Sequence, residues 1–134
     1  MIDTLVKKLL LADPGVSAQT SNRIYINHAP AGSQDHTYVV IQAPGVDYGE
    51  PHSDGQDNSQ SGQVVVNCLA VSDDDANALK NDVVSLLKVS KGYSYLAREI
   101  MYIHVATSEP IEHEQEGDGL PKAYGYRIIA DYII

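Results

Sequence analysis

Residues 63–87, QVVVNCLAVSDDDANALKNDVVSLL, pass directly from a strand pattern to a helix pattern. Gln63 to Val71 is an apolar, β-branched run of strand length. Beyond it, Ala76, Leu79, Val83, Leu86 and Leu87 recur at helical spacing and predict a core-facing stripe on a helix reaching about Lys88. Ser72 stands between the two as an N-cap. Asp73, Asp74 and Asp75 fill the first turn, where carboxylates complement the helix dipole. A one-sided helix tied to an apolar strand has to bury its stripe on a sheet. That rule shapes the whole chain.

The remaining elements fit around this unit. Ile2, Leu5, Val6, Leu9 and Leu10 give an opening amphipathic helix, with Lys7 and Lys8 outward and Asp13-Pro14-Gly15 as its stop. After a polar run over 17–22, residues 23–28 (RIYINH) read as a short strand and 37–43 (TYVVIQA) as a strand ending at Pro44 and Gly45. A short helix is expected over 93–99 and a strand over 101–107. In the closing segment 124–134, Tyr124, Tyr126, Ile128, Ala130, Tyr132 and Ile134 share one side of a strand. Every strand-to-strand link reads as a hairpin or a helix. The predicted fold is α+β: a mostly antiparallel sheet of about five strands, two main helices on one face, and long polar hairpin loops. With 134 residues and no internal repeat, 1–134 reads as a single domain.

Charge is concentrated in those loops. Residues 44–62 carry Asp47, Glu50, Asp54 and Asp57 with no Lys or Arg. Residues 109–122 carry Glu109, Glu112, Glu114, Glu116 and Asp118 against Lys122. Together they hold −8 of the formal −9, so the body of the chain is nearly neutral. Such a balance argues against a nucleic-acid-gripping surface, which needs clustered cations to neutralise phosphate. Loops beyond about 12 residues without structure of their own are uncommon in small domains and are usually functional or disordered. Asp47, Tyr48, Glu50, His52, Asp54, Asp57, Glu112, Glu114 and Glu116 are therefore the candidate interface residues. All nine aromatic residues are Tyr, an amphipathic side chain common at contact surfaces.

Chemistry is harder to find. His28, His36, His52, His104 and His113 show no metal-binding spacing. His104 lies among apolar strand neighbours and reads as a structural histidine; His52 and His113 read as solvated. The stretch from Asp54 to Asn58 lacks the sixth-position Gly and twelfth-position Glu of a calcium loop. Asp73, Asp74 and Asp75 are explained by the helix start. No phosphate cradle, nucleophile elbow or nucleophile–base pair is recognisable. Cys68, the one cysteine, reads as a small buried hydrophobe. No catalytic residue, metal or cofactor is assigned, and the expectation is a non-enzymatic binding protein. The alternatives are a small-molecule-binding or enzymatic α+β domain with a pocket between sheet and helices, and a scaffold or secretion-system subunit. The N-terminal apolar stretch, interrupted by Lys7 and Lys8, is too short to span a bilayer, so a soluble chain made in the cytoplasm is expected.

Four segments in order resemble the tail-completion proteins of long-tailed phages, which are similar in fold to lambda-type tail terminators. They are the helix IDTLVKKLLLAD, the strand and turn RIYINHAPAGSQDHTYVVIQ, the passage QVVVNCLAVSDDDANALKNDVVSLL and the closing YGYRIIADYII. The likeness covers almost the whole chain and rests on order and spacing, no single motif being specific. It implies a virion structural protein at the head-proximal end of the tail, assembled in the host cytoplasm. It also implies a ring of copies, hexameric, that caps the tail tube protein and meets the head-completion protein. DNA would pass through that ring without specific binding. An acidic wall is consistent with such a conduit because it repels a passing polyanion. Solvation of a loop would explain the same charges.

Overall fold

The computed structural model describes residues 1–48, 59–111 and 124–134. Helix α1 (Ile2–Ala12) buries the five predicted residues Ile2, Leu5, Val6, Leu9 and Leu10. It stops at Asp13 as expected, but the polar run that follows is a second helix, α2 (Pro14–Thr20). The Asp13 carboxylate accepts a hydrogen bond from the Val16 amide at 3.0 Å, and Pro14 occupies the first turn, where its missing N–H costs nothing. The stop signal of one helix is thus the start signal of the next.

Five strands form the main sheet in the order β1 (Ile24–Ile26), β2 (Tyr38–Tyr48), β3 (Gln60–Ala70), β7 (Tyr124–Ile133), β6 (Tyr102–Pro110). Three of the four pairings, β2 with β3, β3 with β7 and β7 with β6, are antiparallel. Strand β1 departs from the expected pattern: it runs parallel to β2, with Ile24 opposite Val39 and Ile26 opposite Ile41. The link between them is neither a hairpin nor an α-helix but residues 27–37, containing a single 3-10 turn at Ser33–Asp35. Asn27 (φ 71°) and Gly32 (φ 88°) take left-handed conformations that fold the link back on itself. A run of turn residues announces a change of direction without giving its angle.

Strand β2 does not end at Pro44. A register shift between Gln42 and Gly45 absorbs the proline, and pairing resumes from Gly45 opposite Gln63 to Tyr48 opposite Gln60. Proline cannot donate to a ladder, so a bulge is where a strand tolerates it. Residues 44–48 and 60–62, read as loop, are therefore sheet.

The helix α3 (Asp73–Lys88) follows β3 as predicted, with the Ser72 hydroxyl accepting from the Asp75 amide at 3.2 Å. It runs back along the sheet and packs on β3, β6 and β7, while α1 packs on β1 and β2. Between these layers lie Val39, Ile41, Val64, Val66, Cys68, Ile128, Ala130 and Tyr132 from the sheet, and Leu79, Val83 and Leu87 from α3. Each fully buried Val, Leu or Ile contributes roughly 1.5–3 kcal/mol relative to exposure, so this layer carries the fold. The alternation read in the closing strand holds: Ile128, Ala130, Tyr132 and Ile134 are buried, Arg127 and Ile133 exposed. The structure is the α+β sandwich anticipated, with helix α2 added.

The segment 93–99 is a hairpin instead of a helix. Strands β4 (Ser94–Tyr95) and β5 (Arg98–Glu99) pair across a two-residue turn in which Leu96 (φ 51°) and Ala97 (φ 63°) are both left-handed. Leu, Ala, Arg and Glu are strong helix formers, so local propensity pointed the wrong way. Tertiary packing overrode it: Ile100 is buried, Tyr93 and Tyr95 pack against the core, and the Ile100 amide donates to the Tyr93 carbonyl at 2.9 Å.

Candidate functional site

Two features outside the core can meet a partner: the sheet face away from the helices, and the sheet ends from which the acidic segments depart.

On the uncovered face the ladder registers set side chains in rows. Val40, Asn67, Arg127 and Glu109 form one row; Gln42, Val65, Ile129 and Thr107 form the next. The Asn67 amide nitrogen donates to the Val40 carbonyl and to the Gln42 side-chain oxygen, both at 3.3 Å. Arg127 and Glu109 approach to 3.8 Å, both about half exposed, so water screens the pair heavily. Asn27, Gln42, Ala43, Pro44, Val65, Arg127 and Ile129 line a shallow recess of about 480 Å³. It lies on this face, not between sheet and helices where a ligand pocket was considered, and it pairs no nucleophile with a base.

The histidine expected to be structural is not. His104 is exposed on β6 opposite Asp131, and His28 and His36 are exposed as well. His104 lies on the face of β6 opposite to Ile103 and Val105, which pack against the core, and β6 is an edge strand; the apolar neighbourhood in sequence did not disclose this. Among the described residues no group of three or more His, Cys, Asp or Glu could hold a metal ion. Cys68 is fully buried, and burial pushes its thiol up to about 12, with Lys80 a smaller opposing influence. It is neutral and inaccessible, and therefore inert. Tyr126 donates its hydroxyl to Asp73 at 3.1 Å, and this bond to a carboxylate raises its pKa. Lys80 lies 5.1 Å above the same ring. This group ties β7 to the first turns of α3.

Of the nine candidate interface residues, Asp47 and Tyr48 lie at the end of β2, paired through their backbones with Ser61 and Gln60. Glu50, His52, Asp54, Asp57, Glu112, Glu114 and Glu116 fall outside the described residues. The strand ends nevertheless fix where each acidic segment leaves the sheet. One departs between Tyr48 and Gln60, beside Ile133 and Tyr102. The other departs between Ile111 and Tyr124, beside Ala70. These are opposite ends of β3, an 11-residue strand. At about 3.3 Å per residue the two departure points are some 33 Å apart. Both segments join antiparallel neighbours, as the sequence suggested, but they do not share a rim.

No protein-family model and no curated protein sequence matches the chain. A solved structure does. The fold is shared with a virion chain. That structure is described as the virion of a native gene transfer agent particle. The match has a TM-score of 0.66 and covers 98% of this chain and 93% of the other, at 16% sequence identity. Near-complete coverage of both chains makes it a likeness of whole domains, helices and sheet together. Among the described residues no helix is long and apolar enough to cross a membrane.

Proposed function

We propose that this chain is a structural protein of a tailed, phage-like particle that caps the tail tube and joins it to the head-completion protein as a ring of copies, six by family analogy. The observation that carries this reading is the domain-length likeness to a chain of a gene transfer agent virion. It agrees with the resemblance of the four sequence segments to tail-completion proteins, and the described site offers no catalytic constellation. The two acidic segments leaving opposite ends of the sheet suit a subunit that contacts one partner on each side. In this arrangement Asp47, Tyr48, Glu50, His52, Asp54 and Asp57 serve one neighbour and Glu112, Glu114 and Glu116 the other. DNA passes through the ring and is not held.

The test separates folding from joining. Residues 49–59 are replaced by Asn-Gly, the pair that best closes a two-residue antiparallel turn, so that Tyr48 hands directly to Gln60 through it. The thermal midpoint should hold within about 3–4 °C, the equivalent of about 1 kcal/mol for a domain of this size. Tail-to-head joining should be lost in a complementation assay. A variant that joins tails to heads as well as the wild type does would refute the role of this segment.

A further inference from the structure

We propose that the tip of the β4–β5 hairpin, with the C-terminal end of α3, is the surface by which one copy docks onto the opposite end of the next. The inference deepens the ring reading above and rests on it.

The first observation is conformational. Leu96 and Ala97 both adopt left-handed backbone, which a two-residue turn of this kind demands and which Asn-Gly meets with far less strain. The turn is held in place: the Gly92 amide donates to the Ile100 carbonyl at 2.8 Å, and the Tyr93 amide to Ser90 at 2.9 Å. Strained residues kept on a rigid support point to a role for the side chains they present. The second observation is exposure. Leu96 is 66% exposed at the tip and Val89 76% exposed where α3 ends. Neither is needed by the core, and an apolar residue raised on a firm turn is the form an interface anchor takes. The third is charge. Lys88 and Lys91 are exposed beside Val89, and Lys8 stands 5.3 Å over the ring of Tyr95, the residue that leads into the turn. Glu99 is the carboxylate on the same hairpin. Among the described residues this end carries exposed cations around exposed apolar groups, beside the sheet end where the acidic segment between Tyr48 and Gln60 departs.

The partner it fits is acidic with apolar groups of its own, and a second copy presents that combination. At the far end of α3, Asp73, Asp74 and Asp75 are exposed next to Val71 and Tyr124, which are 46% and 37% exposed. Lys80, over Tyr126, is the cation on that side. Helix α3 spans 16 residues, so the two ends stand about 24 Å apart. A contact between unlike ends of identical subunits is heterologous, and closes into a ring when the rotation between copies divides a full turn.

Three variants and the wild type decide the matter, each followed by analytical ultracentrifugation over a concentration series and by thermal melting. Leu96→Asn with Ala97→Gly relieves the turn and removes the anchor together, so it should melt higher and self-associate about tenfold or more weakly. Lys88→Glu with Lys91→Glu should weaken association, as should Asp74→Lys with Asp75→Lys. Mixing these two charge variants should restore assembly, since each supplies the face the other needs. A wild type that assembles while the Leu96→Asn, Ala97→Gly variant assembles equally well overturns this placement and leaves the ring intact. A wild type that stays monomeric, alone and with tails supplied, overturns the ring itself.

Discussion

Two glycines lie diagonally across the β2–β3 ladder, Gly45 opposite Gln63 and Gly62 opposite Val46, and the same substitution should have opposite consequences at each. A Cβ built on Gly62 meets the Gly45 carbonyl oxygen at 2.6 Å, with the Tyr132 hydroxyl at 3.4 Å. A carbon and an oxygen do not approach below about 3.0 Å without displacing something, and the obstacle here is backbone in a paired strand, not a flexible tip. Gly62→Ala therefore has to push β2 away from β3 by several tenths of an ångström next to the bulge. Gly62 is also held at φ +155°, at the edge of the region open to glycine alone. Overpacking of this type costs roughly 1–3 kcal/mol. For a chain of 134 residues each kcal/mol lowers the midpoint by about 3–4 °C, so a fall of roughly 4–10 °C is expected. At Gly45 a new Cβ finds no atom within 4 Å. Gly45→Ala should leave the midpoint unchanged or raise it slightly, because alanine has less backbone freedom to lose on folding. Differential scanning calorimetry on both variants is the assay. Equal midpoints for the two would show that the close approach of these strands is not the constraint argued from the distances.

Other outcomes follow from the same geometry. Ser72→Ala leaves the Asp75 amide without its capping oxygen and should cost about 1 kcal/mol, visible as a 3–4 °C lower midpoint. Cys68 titrates near 9.0 when unfolded and about 12 when folded, so its contribution is fully present below pH 9 and lost as pH rises toward 12. Denaturant midpoints of wild type and Cys68→Ala should accordingly converge across that window, and parallel pH curves for the two would contradict it. Replacing Glu112, Glu114 and Glu116 together by Lys should raise affinity for DNA in a salt-dependent manner. If these residues line the conduit of the proposed ring, particles carrying that variant should eject DNA more slowly. Unchanged ejection and infectivity would leave the carboxylates as solvating surface.

Much of this architecture follows from side-chain periodicity alone. The five buried positions of α1, the Ser72 cap with its three aspartates and the inward side of β7 each depend on one local pattern meeting one apolar layer. That pattern is written in residue order, so the α+β sandwich was legible. What it left open were relations between segments distant in sequence. Residues 93–99 carry helix-forming side chains, yet the anchoring of Tyr93, Tyr95 and Ile100 on the core makes them a hairpin and raises Leu96 outward. The parallel course of β1, the passage of β2 through Pro44 and the edge position that exposes His104 were likewise settled by pairing partners. The acidic segments show the division most directly. Their charge and length are properties of the chain, whereas their departure from opposite ends of β3 belongs to the ladder, because only register fixes which strand ends lie together.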